Sequence, residues 1–192
     1  MPHIETSTLA EHRDWRRAQL IEAAAAIAIE SGGGAVTVAA VAARAGLSRT
    51  SVYEYFSSSS DLVADLVIDE LRTFASVLQT AVGECDEPYA CIELWIVGAL
   101  QYIADGRHLL AKALNATTLP QERSHSIGAA HRTLLAPLNK ALTQIGVKDI
   151  SQALAYIQAA TDVATKRIEA GNDAVAEIKT ATVFCTSGLA SL

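Results

Sequence analysis

Residues 37–56 read TVAAVAARAGLSRTSVYEYF, and no other stretch constrains the fold as tightly. Thr37 is a residue type that caps helices, and the run after it can turn Val41, Ala42 and Ala45 inward. Gly46-Leu47 permits one tight turn, and Ser48 opens a second short helix that reaches about Phe56. Two short helices joined across a glycine turn make a helix-turn-helix. Ala42 and Ala45 keep the crossing close, while Leu47, Val52 and Phe56 fill the small core beneath. Arg49, Thr50, Ser51, Tyr53 and Tyr55 are left for the outer surface. A recognition helix needs such groups in its first turns, because that end enters the major groove. Exposed N–H groups at that end, together with Ser48, suit a backbone phosphate.

The remaining chain has helical spacing throughout, which predicts an all-α class. One helix is expected over 13–31, with Leu20, Ala24 and Ile27 on one face and Gly32-Gly33-Gly34 as its stop. A long helix over 61–82 carries Val63, Val67, Leu71, Phe74 and Leu78 on one stripe. Asp86 and Pro88 start a helix over 89–104, and a short one follows around 108–116. The stretch 122–145 contains Pro137, which should kink or split it. Ser151 is expected to cap a helix to 170, and the last runs from Asp173 to about 189.

Length and composition set the frame. With 192 residues, of which 51% are hydrophobic and 19% charged, the chain can bury a core and is not disordered. Eleven glycines and four prolines are too few for a many-turned β fold. The expected division is a flexible lead over 1–12, a helix-turn-helix head over 13–60 and a helical body over 61–192. Cys85, Cys91 and Cys185 are odd in number and lack C-x-x-C spacing, so neither a disulfide framework nor a zinc site is expected. No apolar run reaches 18 residues and the first residues lack a signal-peptide pattern, which places the protein in the cytoplasm. The net charge of −6 argues against indiscriminate coating of nucleic acid, though not against a small local reading surface. Most of it belongs to the body: residues 1–60 hold five arginines against six acidic residues, and 61–192 hold ten basic against fifteen acidic.

From about Arg13 through Leu66 the order is a leading helix, then T-V-x-x-V-A-x-x-A-G-L-S-R-x-S-V-Y-x-Y-F, then a helix opening with Asp61-Leu62. This resembles the N-terminal domain of the tetracycline-repressor (TetR) family of bacterial transcription regulators. The resemblance implies an N-terminal three-helix helix-turn-helix DNA-binding domain, followed by a C-terminal helical ligand-binding and dimerisation domain. It implies backbone contacts at Thr37, Ser48, Tyr53 and Tyr55, and base reading at Arg49, Thr50 and Ser51. It also implies three partners: double-stranded operator DNA, a second copy of the chain and a small effector. The family's ligand-enclosing helices here hold Phe74, Trp95, Tyr102, His108, Asn115 and His131. An apolar pocket with few polar groups suits a mostly hydrophobic molecule, though Trp95 and Phe74 also read as ordinary core. The last two helices are rich in small residues that allow close approach. Leu154, Ile157, Thr161, Ile168, Ile178, Thr182 and Cys185 are their candidate dimerisation residues.

One position departs from the family pattern. Such proteins usually carry a lysine near the start of the fourth helix, and this chain has Ser57-Ser58-Ser59-Ser60, with Ser59 in the lysine's place. Each lost phosphate contact lowers the salt slope of DNA binding by roughly 0.9. Arg44, Arg16 and Arg17 are the cations available to compensate, and Arg44 joins the candidate DNA contacts.

Two other functional classes stay open. Asp61, Asp65 and Asp69 recur on one helical face and could hold a divalent metal in an all-α enzyme; the plainer reading is a solvated acidic stripe. The helix-turn-helix could also be the structural head of a protein-interaction module. His108, His125 and His131 share no ligand spacing, and neither a catalytic residue, a metal nor a cofactor is expected.

Overall fold

The structure, a computed structural model, describes residues 9–114 and 119–190. Among these residues every regular element is helical: α1 (Leu9–Ser31), α2 (Val38–Ala45), α3 (Arg49–Tyr53), α4 (Ser59–Val82), α5 (Pro88–Ala104), α6 (Leu109–Leu114), α7 (Ser124–Ile145), α8 (Ile150–Glu169) and α9 (Ala174–Leu189). No helix in the described residues is long and apolar enough to cross a membrane. The last four residues of the expected lead are already helical, since α1 begins at Leu9.

Helix ends follow local chemistry. Ser58 Oγ accepts the Asp61 N–H at the start of α4, and the Asp61 carboxylate accepts the Ser57 N–H in return. Glu87 caps α5 by accepting from Tyr89 and Ala90, with Pro88 in the first turn where its missing N–H costs nothing. α8 is capped by Asp149, two residues earlier than the expected Ser151, because the Asp149 carboxylate accepts the Gln152 N–H at 2.9 Å. α7 runs unbroken through Pro137. Proline cannot donate to the carbonyl four residues back, yet the helix is not split. The next carbonyl, that of Leu134, accepts the buried Trp95 indole N–H at 3.1 Å.

The helices sort into two compact units that do not follow the expected 60/61 boundary. The head comprises the chain through Glu70 together with Leu109–Gly128. Leu20, Ala24 and Ile27 of α1 are buried there with Val41, Val52 and Phe56, as their spacing predicts. The head also takes Leu62, Val63 and Leu66 from α4 and Leu114 from α6. These apolar side chains, each contributing roughly 1.5–3 kcal/mol on full burial, are the reason the unit extends past residue 60.

The body comprises Leu71–His108 and Ala129–Leu192. α5, α8 and α9 pack on one another around Ile92, Ile96, Leu100, Ile157 and Leu189. A Cβ at Gly98 of α5 would stand 2.9 Å from the Ala81 Cβ of α4, so glycine permits that close approach. The body holds one correction to the cysteine reading: Cys85 and Cys91 are joined as a disulfide, their Cα atoms 5.6 Å apart. Six-residue spacing lacks any motif signature, but the turn between α4 and α5 folds Cys85 back onto the first turns of α5. Cys185 is a buried free thiol.

Candidate nucleic-acid interface

Thr37 adopts extended φ and ψ of −114° and 154°, and its Oγ1 accepts the Ala40 N–H at 3.1 Å. α2 ends where Gly46 turns left-handed at φ 68°, with the Leu47 N–H on the Ala42 carbonyl at 2.9 Å. Ser48 then caps α3, accepting the Ser51 N–H at 3.0 Å. Capping uses the oxygen lone pairs of Thr37 and Ser48, and a hydroxyl still has its proton to donate. Val52 and Phe56 are fully buried, and their burial decides what faces outward. Arg49 and Thr50 are exposed, Tyr53 is 51% exposed, Ser51 is half-buried against the Ser48 hydroxyl, and Tyr55 is half-buried against the head's core. α3 stops at Tyr53, short of the expected Phe56, and the chain turns through Glu54 and Tyr55.

The cations of the head divide sharply. Arg44 lies in a bidentate pair with Glu30, both contacts at 2.6 Å. Hydrogen bonding to that guanidinium holds the Glu30 carboxyl below the usual carboxylate range and raises Arg44. Arg17 bonds Asp65 and lies 5.6 Å from the Phe56 ring centroid. Arg16 lies over the Trp15 ring at 5.5 Å. Of the three arginines named as compensating, two are thus paired within the head. At the place of the absent lysine, Ser59 Oγ accepts the Val38 N–H at 3.1 Å and ties the start of α4 to the start of α2. Sequence spacing gave no sign of that bond, which joins residues 21 apart. His12 and Arg13 of α1 border one open cleft with Glu54 and Tyr55, a neighbour of the recognition helix that the sequence did not single out.

The acidic ladder is largely neutralised. Arg123 pairs with both Asp61 and Asp65, and Arg17 adds to Asp65. Among the described residues no group of three His, Cys, Asp or Glu is arranged to hold a metal ion.

In the body, Phe74 and Tyr102 stack with centroids 4.6 Å apart, and the Arg107 guanidinium lies 4.7 Å from the Tyr102 ring. His108 Nε2 meets Glu169 Oε1 at 2.8 Å, and its Nδ1 is buried without a hydrogen bond. Trp95 is core, held by Leu134, and His131 is exposed. Asn115 lies outside the described residues.

Five of the seven candidate dimerisation residues belong to or pack against the body's own core. Ile157, Ile178 and Cys185 are buried in the body core, and Leu154 and Ile168 pack against it. Thr161 and Thr182 return their hydroxyls to their own helices, bonding the carbonyls of Ile157 and Ile178. Burial also raises the Cys185 thiol above its ordinary range. The opposite face of α8 and α9 is exposed and apolar: Tyr156 is 61% exposed, Val163 57% and Phe184 69%. A groove of about 470 Å³ runs between these side chains, floored by Ala160, Ala164 and Ala181. Both faces of α8 are apolar, so helical spacing alone could not say which one the core takes.

Residues 20–66 match the family of bacterial regulatory proteins, tetR family. No curated protein matches the chain. Among solved structures, the transcriptional regulator FadR from Bacillus subtilis, in complex with stearoyl-CoA, is 24% identical; the match covers 89% of this chain and 98% of that one, with a TM-score of 0.72. The fatty acid degradation regulator FadR from Bacillus halodurans is 19% identical over 89% of this chain and 94% of its own, with a TM-score of 0.71. A TetR-like transcriptional regulator from Rhodococcus sp. RHA1 is 20% identical over 92% and 97%, with a TM-score of 0.69. Likeness at these identities is likeness of fold, across head and body alike. Residues 20–66 carry the helix-turn-helix region of the bacterial regulatory proteins of the tetR family.

Proposed function

We propose that the chain is a homodimeric transcriptional repressor of the cytoplasm, not an enzyme, released from a pseudo-palindromic operator by a small, mostly apolar ligand. The observation that carries this reading is the helix-turn-helix itself. α3 is capped by Ser48, anchored by Val52 and Phe56, and leaves Arg49, Thr50 and Tyr53 free to meet DNA. Two such heads must meet major-groove faces roughly 34–36 Å apart, which requires a dimer. The exposed face of α8 and α9 supports a symmetric four-helix interface, since contiguous apolar surface of this kind marks an association site. The family resemblance places the effector among the helices that carry the Phe74–Tyr102 stack and His108. An acyl ligand, as in the Bacillus subtilis FadR complex, is a fitting class. Such a ligand lowers operator affinity only by its differential affinity for the two states of the dimer.

Binding of the full chain to labelled operator duplex, followed by fluorescence anisotropy, tests the assignment. Tyr53→Ala and Arg49→Ala are each expected to cost about 1–3 kcal/mol of specific binding. Unchanged affinity in both variants overturns the assignment of α3 as the reading helix. The metal-enzyme alternative is disfavoured by the arginines seated on Asp61 and Asp65.

A further inference from the structure

We propose that Cys85 and Cys91 form a reversible dithiol–disulfide site, oxidised by small hydroperoxides and reduced again by small thiols. Four observations in the body support a bridge that opens and closes without rebuilding the fold. The Cα atoms stand 5.6 Å apart, within the usual range for a disulfide. Each sulfur also has a backbone acceptor for its reduced state: Cys91 Sγ lies 3.0 Å from the Cys85 carbonyl oxygen, and Cys85 Sγ lies 3.3 Å from that of Glu87. The bridge is local, closing a ring only six positions long, so it constrains the unfolded chain less than a long-range staple. The start of α5 is held independently, by the Glu87 cap and by the burial of Ile92 and Trp95.

Access is graded in a way that orders the chemistry. Cys85 lies in the surface turn and is half-buried, whereas Cys91 is 6% exposed. Both border a groove of about 300 Å³ that also meets Gln79, Lys140 and Gln144, wide enough to admit a peroxide. The Cys85 thiolate attacks one peroxide oxygen; the O–O bond breaks and, with a proton taken up, water or an alcohol leaves. Cys85 is then a sulfenic acid, which the Cys91 thiol attacks through sulfur; the S–O bond breaks and water is released. The two thiols lose two electrons and the peroxide gains them. In the return step an external thiolate attacks Cys85, Cys91 departs and is protonated, and a second external thiol releases Cys85. Lys140 lines the same groove, while Glu84, Asp86 and Glu87 adjoin Cys85 in sequence and repel an anionic oxidant, which favours a neutral one such as hydrogen peroxide. Cys185, buried in α9, is the internal control that stays reduced.

The test uses the full chain, reduced with dithiothreitol, desalted and treated with stoichiometric hydrogen peroxide. Thiols are then counted by maleimide labelling in denaturant, with intact mass and peptide mapping. The expected result is a fall from three free thiols to one, with a 2 Da loss, an 85–91 linkage and full reversal by dithiothreitol under native conditions. Cys85→Ser and Cys91→Ser should each abolish the linkage. Three thiols remaining, a sulfinic acid in place of the linkage, a bridge between two copies, or a bridge that native dithiothreitol cannot open would each overturn the proposal.

Discussion

At the scale of single residues, the proposed hold of the head on DNA rests on which arginines are already engaged. Arg44 is held by Glu30 through two hydrogen bonds, while Arg49 is exposed on α3. Arg44→Ala should therefore leave the salt dependence of operator binding unchanged. A slope that falls by roughly 0.9 in a salt titration would show instead that Arg44 leaves Glu30 for a phosphate. The same pair gives a pH prediction. The Glu30 carboxyl is held low by Arg44, so its contribution to stability is present above the ordinary carboxylate range and lost as pH falls through the lowered value. Thermal melts of wild type and Glu30→Gln should differ at neutral pH and converge in acid. The difference will be small, because both side chains are solvent-exposed. Residue types identified the cations of the head, but pairing across 14 and 48 positions, as for Arg44 and Arg17, leaves no mark in local spacing.

Elements show how much of the candidate site was legible. Thr37, Gly46 and Ser48 cap and turn α2 and α3 where their chemistry predicts, because a cap is a contact between near neighbours. The serine run before α4 shows the limit. Read along the chain, Ser59 is a lysine missing; in the fold it is an acceptor for the Val38 N–H. Ser59→Lys should therefore steepen the salt slope of DNA binding by roughly 0.9, while losing about 1 kcal/mol of stability with that bond. Denaturant melts and salt-dependent anisotropy on one variant measure both. Close packing inside the body is similarly sharp at Gly98, where the Ala81 Cβ and the Leu78 side chain of α4 leave no room for a larger side chain. Gly98→Val should cost about 1–3 kcal/mol through overpacking, read as a lower midpoint in urea.

For the molecule as a whole, the α8–α9 pair separates a buried core face from an exposed apolar face, the proposed interface. Ile157→Ala should lower stability by roughly 2–5 kcal/mol, because it opens a cavity in the body core. If the proposed dimer forms through this face, Phe184→Asp should leave helicity intact and give a monomer in sedimentation velocity where the wild type sediments as a dimer, because Phe184 is 69% exposed. A variant that stays dimeric would move the interface elsewhere. The all-α class, the helix-turn-helix and most helix positions were determined by sequence alone, since periodicity, caps and glycine stops act over a few residues. Tertiary structure decided the rest: that α6 joins the head, which arginines are free, which face of α8 and α9 is left exposed, and that Cys85 meets Cys91. Each of those outcomes depends on which of several compatible surfaces the whole fold buries. Burial is a competition settled by the whole chain, and local spacing carries no record of it.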